Sequence, residues 1–192
     1  MKPAIAAGLV GVGVAAVVVI GFALVFAVQV LVFLVALPMG LLIGWYAGVR
    51  TRAVVATEGG AGGRFSWPRA LADGLVAGLL TGLALALFYV LVRLAFLYLD
   101  NGFRTGGPPY VCSLGPECSY QRALDQPAVR AALEESGVRD APAYTAYFLE
   151  GQALGGAALV LLVVAGALVG SAADRAGSGG TSASTIVAEG PP

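Results

Sequence analysis

From Ala4 to Val49 the chain carries one strongly polar side chain, Gln29, and nothing charged. A bilayer's hydrocarbon core is about 30 Å thick and is crossed by roughly 20 apolar residues in a helix. As a single helix this run would extend about 69 Å at 1.5 Å per residue, about twice what one crossing uses even when tilted. The run therefore reads as a helical hairpin (residues 1–49), with spans near Ala4–Phe22 and Val28–Val49 and a reversal within Gly21–Gln29. One long tilted helix is the alternative. A cleaved signal peptide fits less well, because Met1-Lys2-Pro3 is a thin basic region and the apolar run far exceeds a signal core.

The rest of the chain supports a membrane setting. Of the 192 residues, 58% are hydrophobic and 11% charged, and mean hydropathy is +0.86. Soluble domains carry about 25% charged residues, so this chain lacks the charge to cover a water-facing surface. Net charge is formally zero, which points away from nucleic acid. The bias toward Ala, Val, Gly, Leu and Arg, with Lys2 the only lysine, suggests a GC-rich bacterial source.

Residues 50–70 form a break with Arg50, Arg52, Arg64 and Arg69 against Glu58, and a glycine-rich stretch, Gly59–Gly63. Ser66-Trp67-Pro68 then reads as a helix start, serine capping and proline in the first turn. A third span follows at 71–99. Residues 100–150 form a long polar connection with seven acids and four arginines. Within it, Asp125-Gln126-Pro127, then Val129 and Leu133, then Gly137, spells a short amphipathic helix. Asp140-Ala141-Pro142 opens another helix that runs on into a fourth span at 151–172, with Tyr144, Tyr147 and Phe148 at the interface. The tail, 173–192, is rich in Gly, Ser and Thr and reads as disordered.

Cytoplasmic flanks collect Lys and Arg. Four arginines in the short 50–70 loop place it in the cytoplasm, and the long acidic connection outside. Lys2 and Arg175 then put both termini in the cytoplasm, which requires an even number of spans. The expected fold is an all-α membrane protein, a four-transmembrane-helix bundle with a long extracytoplasmic loop containing short helices, located in the plasma membrane. Cys112 and Cys118, separated by a turn at Gly115-Pro116, are expected to form a disulfide outside the reducing cytosol. A loop this small gains about 2 kcal/mol from closure, so its role is to pin the loop locally.

Lipid tails are as apolar as leucine, so helices associate in a membrane by close packing of small residues. Gly40, Gly44 and Gly48 form a stripe on the second span, and Gly74, Gly78 and Gly82 one on the third. Both begin at the 50–70 end and are expected to touch; self-association of one stripe is the rival. Weaker stripes are Ala7/Gly11/Ala15 on the first span and Gly151/Gly155 and Gly166/Gly170 on the fourth. Pro38 is expected to kink the second span.

Arg93 is the charge set furthest into a span, and its long stem can carry the guanidinium to the outer interface. Gln29 and Glu150 are expected at similar depth on other spans, and with Asp100, seven residues after Arg93 on nearly the same helix face, they give an outer polar cluster that is either structural or binds a ligand or anionic headgroup. Asp73 is expected to pair with Arg69 four residues before it, and Thr81 to bond its own helix backbone.

Histidine is absent. Acid–base, nucleophilic and metal chemistry that needs imidazole is thereby excluded. HExxH, P-loop and GxSxG motifs are also missing. The sequence points to a non-enzymatic accessory, assembly or structural membrane subunit without cofactor. Its partners would be membrane lipid and other subunits or its own copies, and not nucleic acid. A small transporter or channel component acting as an oligomer is the alternative.

Overall fold

The computed structural model describes residues 3–25, 30–58, 67–99 and 112–173. Six helices follow in chain order: α1 (Pro3–Val25), α2 (Val30–Glu58), α3 (Trp67–Leu99), α4 (Pro116–Leu124), α5 (Pro127–Glu135) and α6 (Ala141–Ala173). No strand occurs among the described residues. Helices α1, α2, α3 and α6 are long and apolar enough to cross a membrane. Their outer surfaces are apolar as well: Val17 is 74% exposed and Leu161 69%. A helix that is hydrophobic all round belongs inside a large core or in lipid, and a chain of this size has no core large enough. This is a multi-pass integral membrane protein.

The apolar opening run is broken as its length requires. Helices α1 and α2 are separate and pack on each other. The reversal itself lies outside the described residues, as do the glycine-rich 59–63 stretch and the 174–192 tail. One boundary differs from expectation. Helix α2 does not stop at Val49 but continues to Glu58, because Arg50–Thr57 contains no breaker until the glycines. Helix α6 is one rod of 33 residues, the helix that opens at Asp140-Ala141-Pro142 running on into the fourth span as expected. Asp140 starts it: its Oδ1 accepts from the Ala143 N–H at 2.8 Å, a side-chain N-cap. Helix α2 runs uninterrupted through Pro38.

Helix α6 is the hub. It packs most extensively against α2 and α3, while α1 lies against α3 and α2. The glycine stripes explain this arrangement and correct the expected one. The nearest atoms facing Gly40, Gly44, Gly74, Gly78 and Gly82 belong to α6 and not to the opposite stripe. The carbonyl oxygens of Val163 and Ala167 stand where Gly40 and Gly44 lack a Cβ. A Cβ at Gly78 would lie 2.8 Å from that of Ala167, and one at Gly82 would lie 3.1 Å from Val160 Cα. Gly74 faces the Ser171 hydroxyl, and Gly48 is buried.

The α2–α6 contact is reciprocal. Gly166 and Gly170 meet the carbonyl oxygens of Leu37 and Leu41 on α2. Numbers rise together on the two helices, so they run parallel, each presenting a glycine pair four residues apart. Two parallel helices so equipped bring backbone to backbone and aim glycine Cα–H groups at the opposite carbonyls, each contact worth about 0.5–1 kcal/mol. Against α3 the numbers run oppositely, so α3 and α6 are antiparallel. On α1, Gly8 seats Leu80 and Gly11 seats Thr81. Thr81 is wholly buried, and its hydroxyl has no hydrogen-bond partner among the described residues. The expected bond to its own backbone does not form, because the hydroxyl points across the interface into the Gly11 notch.

Side chains fill the remaining interior. Leu85, Leu159 and Val163, all fully buried, join Val32, Ala36, Met39 and Tyr89 in the larger cluster. Ala7, Ile43, Ala47 and Ala77 form a smaller one toward the α2–α3 connection.

These contacts rank the glycines. Gly44→Leu and Gly170→Leu would each drive a side chain into a facing backbone, which cannot move aside, and are expected to lower stability by about 3 kcal/mol or more. Gly13 has open space around it. Gly13→Ala is expected to be neutral or stabilising by up to about 1 kcal/mol through helix propensity. Denaturant titration of the detergent-solubilised protein, read by circular dichroism, measures the difference.

Candidate functional site at the α4 end of the bundle

Between α3 and α6 the chain builds a small cap from α4 and α5. Gly115 opens α4 with φ 135°, a conformation that favours glycine, and Pro116 occupies the first turn. Helix α5 starts at Pro127 and ends in a Schellman turn. There Val138 N–H bonds Leu133 O at 2.9 Å and Gly137 N–H bonds Glu134 O at 3.1 Å, with Gly137 at φ 72°. Leu133 and Val138 then bury together with Ala123, lined by Tyr120 and Tyr144. The short helix read at 125–137 is thus present. Helix α4 was not anticipated, although Gly115-Pro116 is a helix opening as well as a turn between cysteines. Cys112 and Cys118 are brought to disulfide distance, with Cα atoms 5.5 Å apart.

The cap is seated on the bundle by polar and aromatic contacts. Ser119 Oγ donates to Leu97 O at 2.7 Å, satisfying one of the carbonyls that the last turn of α3 leaves without an intrahelical partner. Arg122 Nη2 donates to Ser119 Oγ at 3.3 Å. Tyr120 of α4 stacks against Tyr144 of α6 (centroids 5.6 Å), and Tyr144 against Phe148 (6.4 Å). Arg93 of α3 lies over the Phe148 ring at 5.0 Å, a cation–π contact. Residues of α3, α4 and α6 therefore meet here in a run of rings, with Arg93 over Phe148 at one end.

Of the outer polar cluster expected from sequence, Gln29 and Asp100 lie outside the described residues. Arg93 is half-buried, and Glu150 is exposed on α6. Sequence reasoning missed Ser119, Tyr120 and Arg122, which reach the site only because α4 folds back onto α3. It also missed Gln152. That side chain is 7% exposed, and its Oε1 has no hydrogen-bond partner among the described residues. By register Gln152 falls between Phe148, opposite Arg93, and Gly155, opposite Tyr89. Tyr89 in turn packs edge-on against Phe33, 5.8 Å away at 79°.

Depth follows from helix length. Asp73 and Arg93 are 20 residues apart on continuous α3, about 30 Å, the thickness of a hydrocarbon core. Both charges therefore fit at the two boundaries. At the far end Asp73 does not depend on Arg69, which is exposed; its Oδ2 accepts from Thr51 Oγ1 of α2 at 2.8 Å. Arg50 lies over the Tyr46 ring at 5.6 Å.

Among the described residues no group of three or more His, Cys, Asp or Glu side chains could hold a metal ion. Comparison with protein-family models, with curated proteins and with solved structures finds no match.

The Ser119 bond makes α4 part of the bundle end. Ser119→Ala is expected to cost about 1 kcal/mol and to leave Leu97 O without its partner. Hydrogen exchange should speed up in α4, with little change in α2.

Proposed function

We propose that this protein is a non-enzymatic accessory or assembly subunit of a membrane, with both termini in the cytoplasm and the α4–α5 cap on the other side. The observation that carries this reading is the way the bundle axis is closed. Helix α6 meets α2 backbone to backbone and sits tightly in the glycine notches of α3. Helices this close leave no room for a lumen along their seams. What the chain presents beyond the bilayer is a small, shaped surface, the cap, suited to contact with other subunits.

Orientation rests on charge. Arg50, Arg52, Arg64 and Arg69 crowd the α2–α3 connection, which favours the cytoplasmic side. A disulfide between Cys112 and Cys118 fits the oxidising side.

Two measurements test the proposal. In intact cells treated with a reductant, a membrane-impermeant maleimide should label Cys112, whereas a Gly62→Cys variant should label only after permeabilisation. The reverse pattern would overturn the orientation. Vesicles reconstituted with the purified protein should be no more permeable to monovalent ions or small solutes than protein-free vesicles. Protein-dependent flux would overturn the subunit reading in favour of an oligomeric transporter or channel.

A further inference from the structure

We infer that α6 binds water at Gln152, in a site shared with the Tyr89 phenol of α3 and walled by the Phe33 ring of α2. The ligand is small and uncharged, and it both donates and accepts hydrogen bonds.

The unmet acceptor of Gln152 is the first reason. The residue is 7% exposed, and its Oε1 has no hydrogen-bond partner among the described residues. A buried amide oxygen left unbonded loses its hydration and gains nothing, so nearly all such groups are bonded to protein or to ordered water. A second polar group stands close by. A Cβ on Gly155, three residues further along α6, would lie 3.6 Å from the Tyr89 phenol oxygen and 3.6 Å from Phe33 Cζ. Cβ atoms three residues apart on a helix are separated by about 5–6 Å, so one or two waters bridge from the amide to the phenol. Tyr89 is itself 7% exposed, and a buried phenol also needs a hydrogen-bonding neighbour. Water can donate to Gln152 Oε1 and either donate to or accept from the phenol, which serves both groups.

The packing of α6 is the second. At Gly166 and Gly170 an added Cβ would strike the backbone of α2. At Gly155 the nearest atom would be 3.5 Å away and at Gly156 3.7 Å, ordinary contact distances. The seam around α6 therefore loosens toward the α4 end by about a methyl group at each position, and a methyl group is close to water in size. Gln152 lies one turn further, on the face that Gly156 turns to Ala86 and Val90. Depth makes the water a bound one. Tyr89 is four residues inward of Arg93 on α3, about 6 Å inside the hydrocarbon boundary, below the headgroup layer. Deeper still, Leu85, Leu159 and Val163 are fully buried and close the site toward the bilayer centre. Water is thus held there and not passed through.

Hydroxyl-radical footprinting of the full-length protein in detergent, with radicals generated from water by X-rays, tests the site. Radicals born from a bound water attack the side chains beside it. Tyr89 should therefore be hydroxylated although it is buried, while Leu85, buried in the same cluster, should not. After rapid mixing into water labelled with heavy oxygen, Tyr89 should go on taking up ordinary oxygen when exposed Tyr147 has already switched. Gln152→Leu removes the acceptor and should lower Tyr89 labelling at least about fivefold, leaving Tyr147 unchanged. The proposal is overturned by a Tyr89 as unreactive as Leu85, each scaled to its intrinsic reactivity. Labelling of Tyr89 that survives Gln152→Leu, or that switches oxygen as fast as Tyr147, also overturns it. Should Gln152→Leu fail to fold, Gln152→Met, closer in shape, replaces it, and the two measurements on the parent protein decide without either variant.

Discussion

The contact on which the bundle depends is that between α2 and α6, where glycine on each helix receives a carbonyl oxygen of the other. In a membrane the hydrophobic effect does not draw helices together, since lipid solvates leucine as well as protein does. Close approach must therefore supply the attraction through dispersion and weak Cα–H bonds summed over a long seam. Only glycine permits the approach. Once α6 is seated on α2, its other side presents Val160, Val163, Ala167 and Ser171 to the notches of α3, and α1 closes against α3 through Gly8 and Gly11. The side-chain core of Leu85, Leu159 and Val163 fills what the backbones leave.

Much of this was legible in the chain. The length of the Ala4–Val49 run required two helices, and two are found. The Asp140 cap, the Pro68 start and the Gly137 stop were readable because each is a local backbone requirement met by one residue type. The partner of each glycine stripe was not. Stripes on α2 and α3 lie either side of one short connection, and sequence proximity suggested that they meet. The choice was made instead by α6, about 120 residues from α2, where Gly166 and Gly170 match Gly40 and Gly44 in spacing and direction. A stripe records that something comes close, and not what.

The same limit explains the site. Arg93 stood out in the sequence as a charge in an apolar helix, but its surroundings depend on how α4 folds back. Ser119, Tyr120 and Arg122 look like ordinary polar loop residues until Ser119 finds Leu97 O. Thr81 shows the converse. Its type predicts a bond to its own helix, yet the Gly11 notch draws the hydroxyl across the interface. Local rules predicted helices and caps; packing between distant segments decided where the polar groups went.

The position of α6 in the chain also bears on biogenesis. Ribosomes deliver the hub after α1, α2 and α3. While α1, α2 and α3 are already in the bilayer, the grooves at Gly40–Gly44 and Gly74–Gly82 have only lipid to fill them, and lipid tails fit such narrow clefts poorly. The three-helix intermediate is thus an unfinished receptor for a later segment of the same chain, and the cap cannot settle until that segment arrives. Quality-control machinery that senses exposed small-residue grooves would meet this chain at its most vulnerable during that interval.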